Sequence, residues 1–558
     1  MPKRELRLLL NEDQLNLKAD KSPNLEAYIP RYAKPTQSTS SRILRWMVPI
    51  FLLALGAAVG AWIWLLTQST ESIEEVFQTP EAIPTPIPTD IPEVEAPLEP
   101  EPEPTVMISP DPYPGWVDPL SVGSPWGTTV EGLLTFRGNP TRTFYGTGPI
   151  PRNPELKWQY PRNTLLCGTT MLDYQNEEWC GLGWTGQPAI FERDGITWTI
   201  FGALDGAIHF LDADTGNQLL KPLQTDDIIK GSVTVDPDGF PIVYTGGRDD
   251  LLRLVAIDRG EPLVLWSLDS DTVEGSVWNN DWDGAPLVIN DYLFIGGENS
   301  VFHIIKLNRS YDEDGFVMAE PELVFAVPGY DDDLINTVGS NVSIEGSVAI
   351  SGDTAYFANS GGLVQGWDLS LLSVGEDPVR NFRYWVGDDV DATIVVDEEG
   401  YLYVGVEYER GFNRSFQVGQ FIKLDPSNPD DPFVWSIFDN AELPDGVWAT
   451  AALHKDLVII VTDSARVIGI DKITGNIRWE FLIQGPLWSS PVVIDDVLLQ
   501  ADCSGFLNAY DVKDTSIKPE RLWRFPVGNG CLEATPAVWD GKIIIGNRDG
   551  KVIMIAEE

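Results

Sequence analysis

Histidine is nearly missing from this chain: 558 residues contain three, His209, His303 and His454. They fall in separate strand-like stretches, which excludes a shared zinc site of the usual ligand set. Cysteine is almost as rare. Cys167, Cys180, Cys503 and Cys531 include no CxxC, no CxxCH and no adjacent pair, so neither a thiolate metal centre nor an attached haem is expected. Three pairings are open to four cysteines. The local ones, Cys167–Cys180 and Cys503–Cys531, are the disulfide candidates, as in an exported chain. Basic residues are also scarce, with 38 Lys and Arg against 84 Asp and Glu and a formal charge of −46. Such a surface repels nucleic acid and anionic lipid and favours cations or basic partners. A nucleic-acid role is excluded on this ground.

Charge is absent altogether from residues 46–66, WMVPIFLLALGAAVGAWIWLL. A helix of that length crosses about 30 Å of hydrocarbon. Trp46, Trp62 and Trp64 lie toward its ends, where indoles favour the interface. Lys and Arg crowd residues 1–45 and then vanish until Arg137. The positive-inside rule therefore expects a cytoplasmic N-terminus and an extracytoplasmic remainder. The long N-terminal segment argues for an uncleaved anchor over a cleaved signal peptide. Residues 67–133 hold alternating proline and acid, which build no core and read as an extended, disordered linker.

From Trp184 onward the chain repeats. WTGQPAI (184–190), KGSVTV (230–235), DGAPLVI (283–289), EGSVAI (345–350), DATIVV (391–396), WATAAL (448–453), WSSPVVI (488–494) and EATPAV (533–538) each step through small residues into an apolar run. Their starts lie 40 to 62 residues apart. Between them come short β-runs and Gly/Asp turns, the pattern of four-stranded propeller blades. GIDKITGNIRWEF (469–481) shows the end of a unit: a third strand closing on Asp471, a Thr-Gly turn, and a Trp-bearing outer strand. Trp266, Trp385, Trp435, Trp479 and Trp523 recur there, with Phe325 and Leu220 as smaller substitutes. These indoles are expected to wedge between blades, since burying one removes about 150–250 Å² from water. The last unit lacks an outer strand, and PELKWQY (154–160), with Trp158, has the form to supply it. The expectation is all-β: an eight-bladed β-propeller of four-stranded antiparallel blades over 134–558, closed by its own N-terminal strand.

These units resemble the tryptophan-docking repeats of the PQQ-like propeller superfamily, roughly Ala-x-Asp-x-x-Thr-Gly-x-x-x-Trp. GlyIleAspLysIleThrGlyAsnIleArgTrp (469–479) departs from that pattern only at its first residue. The lead-in LTFRGNPTRTFYGTGPIP (134–151) is similar to the family's entry segment. The resemblance implies the fold, and it implies three functions: quinoprotein dehydrogenase, scaffold for outer-membrane assembly, or extracellular sensor. A dehydrogenase of this type holds PQQ and Ca²⁺ at the ring centre beneath an adjacent Cys-Cys pair, which this chain lacks. No catalytic residue and no metal ligand is assigned, and neither cofactor is expected. A PQQ- and Ca²⁺-dependent oxidoreductase stays as the alternative reading and a sensor domain as the second.

One constellation remains. The residue preceding each inner strand is expected at the axial mouth: Trp184, Lys230, Asp283, Glu345, Asp391, Trp448, Trp488 and Glu533. The loops feeding them are acidic. Together they describe a negatively charged funnel with indoles at its rim, suited to a cation or a basic protein segment. The function expected is a non-enzymatic binding or scaffolding module, anchored to the membrane through residues 46–66.

Overall fold

The computed structural model describes residues 113–558, apart from 128, 173–174, 185 and 440–444. The cytoplasmic tail, the span at 46–66 and the linker as far as residue 112 lie outside the described residues. Among the described residues no helix is long and apolar enough to cross a membrane.

The chain folds into eight antiparallel blades. Blade 1 is Ala189–Arg193, Ile196–Ala203, Ala207–Asp212 and Gln218–Gln224. Blades 2 to 7 follow over 234–269, 287–328, 349–385, 395–437, 452–482 and 492–526. Blade 8 takes Ala537–Trp539, Lys542–Asn547 and Lys551–Glu557 from the C-terminus and Pro154–Tyr160 from the far N-terminal side. Trp158 stands opposite Met554. The missing turn of blade 8 is made without a covalent link: the Glu557 carboxylate accepts from the backbone N–H groups of Arg152 (2.6 Å) and Asn153. Glu557 thereby does for two chain ends what Asp212 does inside blade 1, where it accepts from Asp214 N–H and Thr215 N–H.

The Thr-Gly turn has a double duty. Asp471 Oδ1 accepts from Ile473 N–H, Thr474 N–H and the Thr474 hydroxyl, which bends the chain so that Gly475 takes φ +72°. An added Cβ on Gly475 would lie 2.6 Å from Trp435 Cγ of the preceding blade. Gly216 is placed alike, at φ +67° and 2.7 Å from the Trp158 ring. Each indole N–H then donates to the carbonyl just after the turn aspartate: Trp158 to Ala213 at 2.8 Å and Trp435 to Lys472 at 3.2 Å. Burying one indole contributes on the order of 4–6 kcal/mol of transfer free energy. In every blade the register between third and fourth strands shifts beside the docking side chain, from Leu220 in blade 1 to Trp158 in blade 8. A bulge there bends the outer strand and re-aims the side chain.

Two expectations need correction. Trp385 is not the docking residue of blade 4. Phe382 is, at 3% exposed and opposite Gly366, while Trp385 ends the strand and donates to Gly361 O of its own blade at 2.9 Å. The turn after Asp368 carries an extra 3-10 segment, Leu372–Val374, so counting from the aspartate overshoots. Residues 113–133, read with the linker, belong to the propeller. Trp116 donates to Leu369 O and packs edge-on against Tyr292 and Phe294, and Gly132–Leu133 adds a fifth strand to blade 1. The proline-rich stretch before residue 113 suggests a linker, but the indoles decide the outcome.

At the axis the small-residue step explains itself. Backbone N–H groups donate from one blade to a hydroxyl of the next: Gln187 to Ser232, Ala285 to Ser347, Ser347 to Thr393, Thr393 to Thr450 and Thr450 to Ser490, all at 2.8–3.1 Å. Toward the C-terminal ends of the inner strands, the entry segment plugs the ring. Its backbone carbonyls accept from Val235, Ile350 and Val396 of blades 2, 4 and 5. The Arg137 guanidinium donates to Ala451 O and Pro491 O of blades 6 and 7, and Arg142 donates twice to Val348 O of blade 4.

Gly475→Ala separates the turn's two duties from ordinary glycine strain. Gly195 has a similar φ of +74° with open space around it. In urea titrations Gly195→Ala is expected to cost about 1 kcal/mol, and Gly475→Ala about 3 kcal/mol or more because the Trp435 ring must also move.

Candidate functional site

The eight residues picked from the repeat each precede an inner strand, and their contacts place them in three groups and one outlier. Trp184, Trp448 and Trp488 come together: Trp448 stacks on Trp488 with centroids 5.6 Å apart and meets Trp184 at 6.0 Å. They belong to blades 6, 7 and 1 and are partly exposed. Trp488 Nε1 donates to Asp463 Oδ1 at 2.7 Å.

The second group is an ion cluster. Lys230 Nζ lies 2.7 Å from Asp283, 2.9 Å from Glu298 and 3.3 Å from Asp281. Arg248 reaches Asp281 at 3.5 Å, and Asn279 donates to Glu298. All three carboxylates are buried, Asp283 at 1% exposed. Burial opposes the Lys230 charge, but the three acids hold its pKa well above the usual lysine value. Burial raises Asp283 to about 7, with Lys230 opposing and Glu298 adding repulsion. The signal was present in the sequence as AsnAsnAspTrpAspGly (279–284), whose alternate residues point to one side while Trp282 turns into the core and donates to Asp250 O.

The third group has no such cation at its centre. Glu345 Oε1 accepts from Ser343 and Ser360, and the Ser360 hydroxyl reaches Asp391 at 3.5 Å. Asp389, Asp391 and Glu407 bring carboxylate oxygens within 4.8 Å of one another. Burial pushes Glu345, Asp391 and Glu407 well above the usual carboxylate range, and repulsion adds to it, from Glu298 and Asp283 on Glu345, from Glu345 and Asp389 on Asp391, and from Asp391 and Asp389 on Glu407. Glu409 rises to about 8 through burial and Asp389, against the pull of Arg410. Arg410 pairs with Asp389 at 3.1 Å. Asp388 next to it accepts the N–H groups of Arg410 and Gly411. Sequence reasoning found Glu345 and Asp391 and counted Asp389 among the acidic feeding loops, but it missed Glu407 and Glu409, which arrive from the following strand end.

Glu533 is the outlier, on the blade 8 side, 3.6 Å from Arg548. The ionisable members of the set sit beneath the rim and not on it: Lys230, Glu345, Asp391 and Glu533 are each 7% exposed or less. The disulfides are Cys167–Cys180, stapling the hairpin Cys167–Leu172/Gln175–Cys180, and Cys503–Cys531. A groove of about 540 Å³ lies apart, on blades 6 and 7, lined by Phe481, Gln484, Tyr510, Lys518, Arg521 and Arg524. It shares no residue with the mouth.

PQQ is a planar tricarboxylate and requires a flat slot with cationic partners. Here the indoles fill the aromatic half by stacking on one another. The cations of the acidic half, Lys230, Arg248 and Arg410, already face Asp and Glu. The residues present do not fit that cofactor.

Residues 422–557 match the family model described as outer membrane protein assembly factor BamB. The curated BamB of Yersinia pestis is 30% identical over 123 residues, 21% of this chain and 29% of that protein. BamB of Shewanella oneidensis is 34% identical over 112 residues, 19% of this chain and 27% of that one. The chain therefore spans less than a third of the length of these relatives. Among solved structures, quinohemoprotein alcohol dehydrogenase from Comamonas testosteroni aligns with TM-score 0.51 at 15% identity, over 76% of this chain and 80% of that one. The enzyme ADHIIG from Pseudomonas putida HK5 aligns with TM-score 0.50 at 14% identity, with the same coverage. At such identities the likeness is one of fold. With the eight blades, the matches support a PQQ-like β-propeller repeat protein.

The buried acids set the sign of the pH dependence. A carboxyl whose pKa is raised on folding contributes stability below its unfolded value and loses it as pH climbs through the folded one. With Asp283 at about 7 and Glu409 at about 8, the melting temperature measured in EDTA is expected to fall between about pH 4 and pH 8. Glu409→Gln flattens the upper part of that slope.

Proposed function

We propose that this chain is a non-enzymatic binding module whose axial mouth captures a basic, partly apolar segment of a partner protein. The observation carrying this reading is the juxtaposition of a partly exposed indole trio with an acid-lined quadrant. Aromatic faces hold the aliphatic stems of Lys and Arg and attract their charges. The surrounding loops add exposed Asp226, Asp271 and Glu274, and the formal charge of −46 steers a cationic segment inward. The match to BamB, named as an outer membrane protein assembly factor, agrees with a scaffolding role. In this reading residues 46–66 anchor the chain, the N-terminus stays in the cytoplasm, and the propeller works outside the membrane at the end of its proline-rich linker.

The full chain, cross-linked mildly in membranes, is expected to co-purify one partner carrying a basic segment. A synthetic copy of that segment should bind in a salt-sensitive manner. Trp448→Ala is expected to weaken it about tenfold, roughly 1.4 kcal/mol, with the melting temperature little changed. Capture and affinity that ignore both salt and Trp448→Ala overturn the proposal.

A further inference from the structure

Blades 3 and 5 carry the same carboxylate set at the same places. Asp281, Asp283 and Glu298 form it in blade 3, and Asp389, Asp391 and Glu407 form it in blade 5: two acids with one residue between them ahead of the inner strand, and a Glu after the second strand. Each set is completed by the residue preceding the inner strand of the blade before. For blade 3 that residue is Lys230, whose ammonium lies within 3.3 Å of all three carboxylates. For blade 5 the corresponding residue is Glu345, so a fourth acid stands where the repeat elsewhere supplies a cation.

Among the described residues, three oxygens of the resulting set are left unsatisfied. Glu345 Oε2, Asp389 Oδ1 and Glu407 Oε1 have no hydrogen-bond partner although their side chains are 2–3% exposed. Among the described residues the one ion pair in the set is Arg410 to Asp389. An anion buried without compensation is among the costlier arrangements in a protein, and such charges are paired or bind metals. Asp389, Asp391 and Glu407 bring oxygens within 4.8 Å of one another, the span of two metal–oxygen bonds of about 2.4 Å, the calcium range, and the Ser360 hydroxyl links Glu345 to Asp391. All donors are hard oxygens, which favours calcium over a transition metal.

We propose that Glu345, Asp389, Asp391 and Glu407 bind one divalent cation of the calcium class between blades 4 and 5. The ion does for blade 5 what Lys230 does for blade 3: it ties an inner strand to its neighbour and offsets the charge buried beneath the rim, leaving the exposed acidic loops unchanged. The site is buried and does not rest on the partner-binding reading above. A chain that captures no basic segment is still expected to bind the ion.

The test uses the full chain, stripped with EDTA and titrated with CaCl₂ by calorimetry, beside thermal melts with CaCl₂ or EDTA. One calcium ion per chain and a higher melting temperature with calcium are expected, with MgCl₂ weaker. Glu345→Lys installs the blade 3 solution: calcium binding is lost and the variant melts in EDTA at or above the wild-type temperature. Glu407→Gln removes one ligand and one buried charge, so it weakens calcium about tenfold or more without harming the ion-free fold. Asp281→Asn, in the lysine-filled set, leaves calcium affinity unchanged. If Glu345→Lys does not fold, Glu407→Gln decides. Absence of calcium heat at pH 7.5, which would mean carboxylates sharing protons only, overturns the proposal. So does calcium affinity that Glu407→Gln leaves untouched.

Discussion

Two arginines with no carboxylate partner among the described residues hold the ring at its axis. Arg137 and Arg142 are fully buried, and their guanidinium groups donate to backbone carbonyls of blades 4, 6 and 7 and of the entry segment itself. Burial lowers the pKa of both, Arg142 to about 9. A guanidinium is the cation best able to bear such a place, because its planar fork reaches several carbonyls at once and is weakly hydrated. A ring of inner strands leaves unpaired carbonyls around its channel, and in the dry interior those groups need donors. One segment, touching every blade, supplies them.

From that plug the rest of the architecture follows outward. The hydroxyl belt links neighbouring inner strands where no sheet hydrogen bond runs between blades. Farther out, Trp158 and Trp435 lock their blades to the turn of the next, and the Glu557 carboxylate closes the last gap without a peptide bond. With interior and edges satisfied in this way, the mouth opposite the plug is free to depart from the repeat. There the eight positions differ most: three indoles over blades 6, 7 and 1, an ammonium among acids at blades 2 and 3, and acids alone at blades 4 and 5. Function in a repeat fold resides in such departures, since identical units give only a scaffold.

The legible part of this molecule was the part written in short-range pattern. Blade number, strand order, the borrowed outer strand and the Asp-x-x-Thr-Gly turn are all local or periodic, and the turn works through hydrogen bonds within three residues. Trp385 was misread because the docking position is defined by register against Gly366, and a 3-10 insertion shifted the count. Residues 113–133 were misread because they continue a proline-rich stretch, yet Trp116, between blades 3 and 4, and Trp126, which donates to Val288 O of blade 3, outweigh the composition around them. At the mouth, the residue preceding each inner strand was visible as a position, but its burial was not. Lys230, Glu345 and Asp391 lie under loops whose path no local pattern gives.

By itself the sequence determined the ring. The four-strand unit, its eightfold count and the packing chemistry of each blade depend on residues close together in the chain, where turn geometry and alternation act directly. Tertiary structure alone decided which charges meet. Lys230 reaches Asp281, Asp283 and Glu298 from another blade, Glu345 joins Asp389, Asp391 and Glu407, and the indoles at 184, 448 and 488 converge across the axis. These contacts follow from the ring's closure, which brings distant positions to one centre, and electrostatics depends on that distance and on burial, neither of which a linear pattern contains.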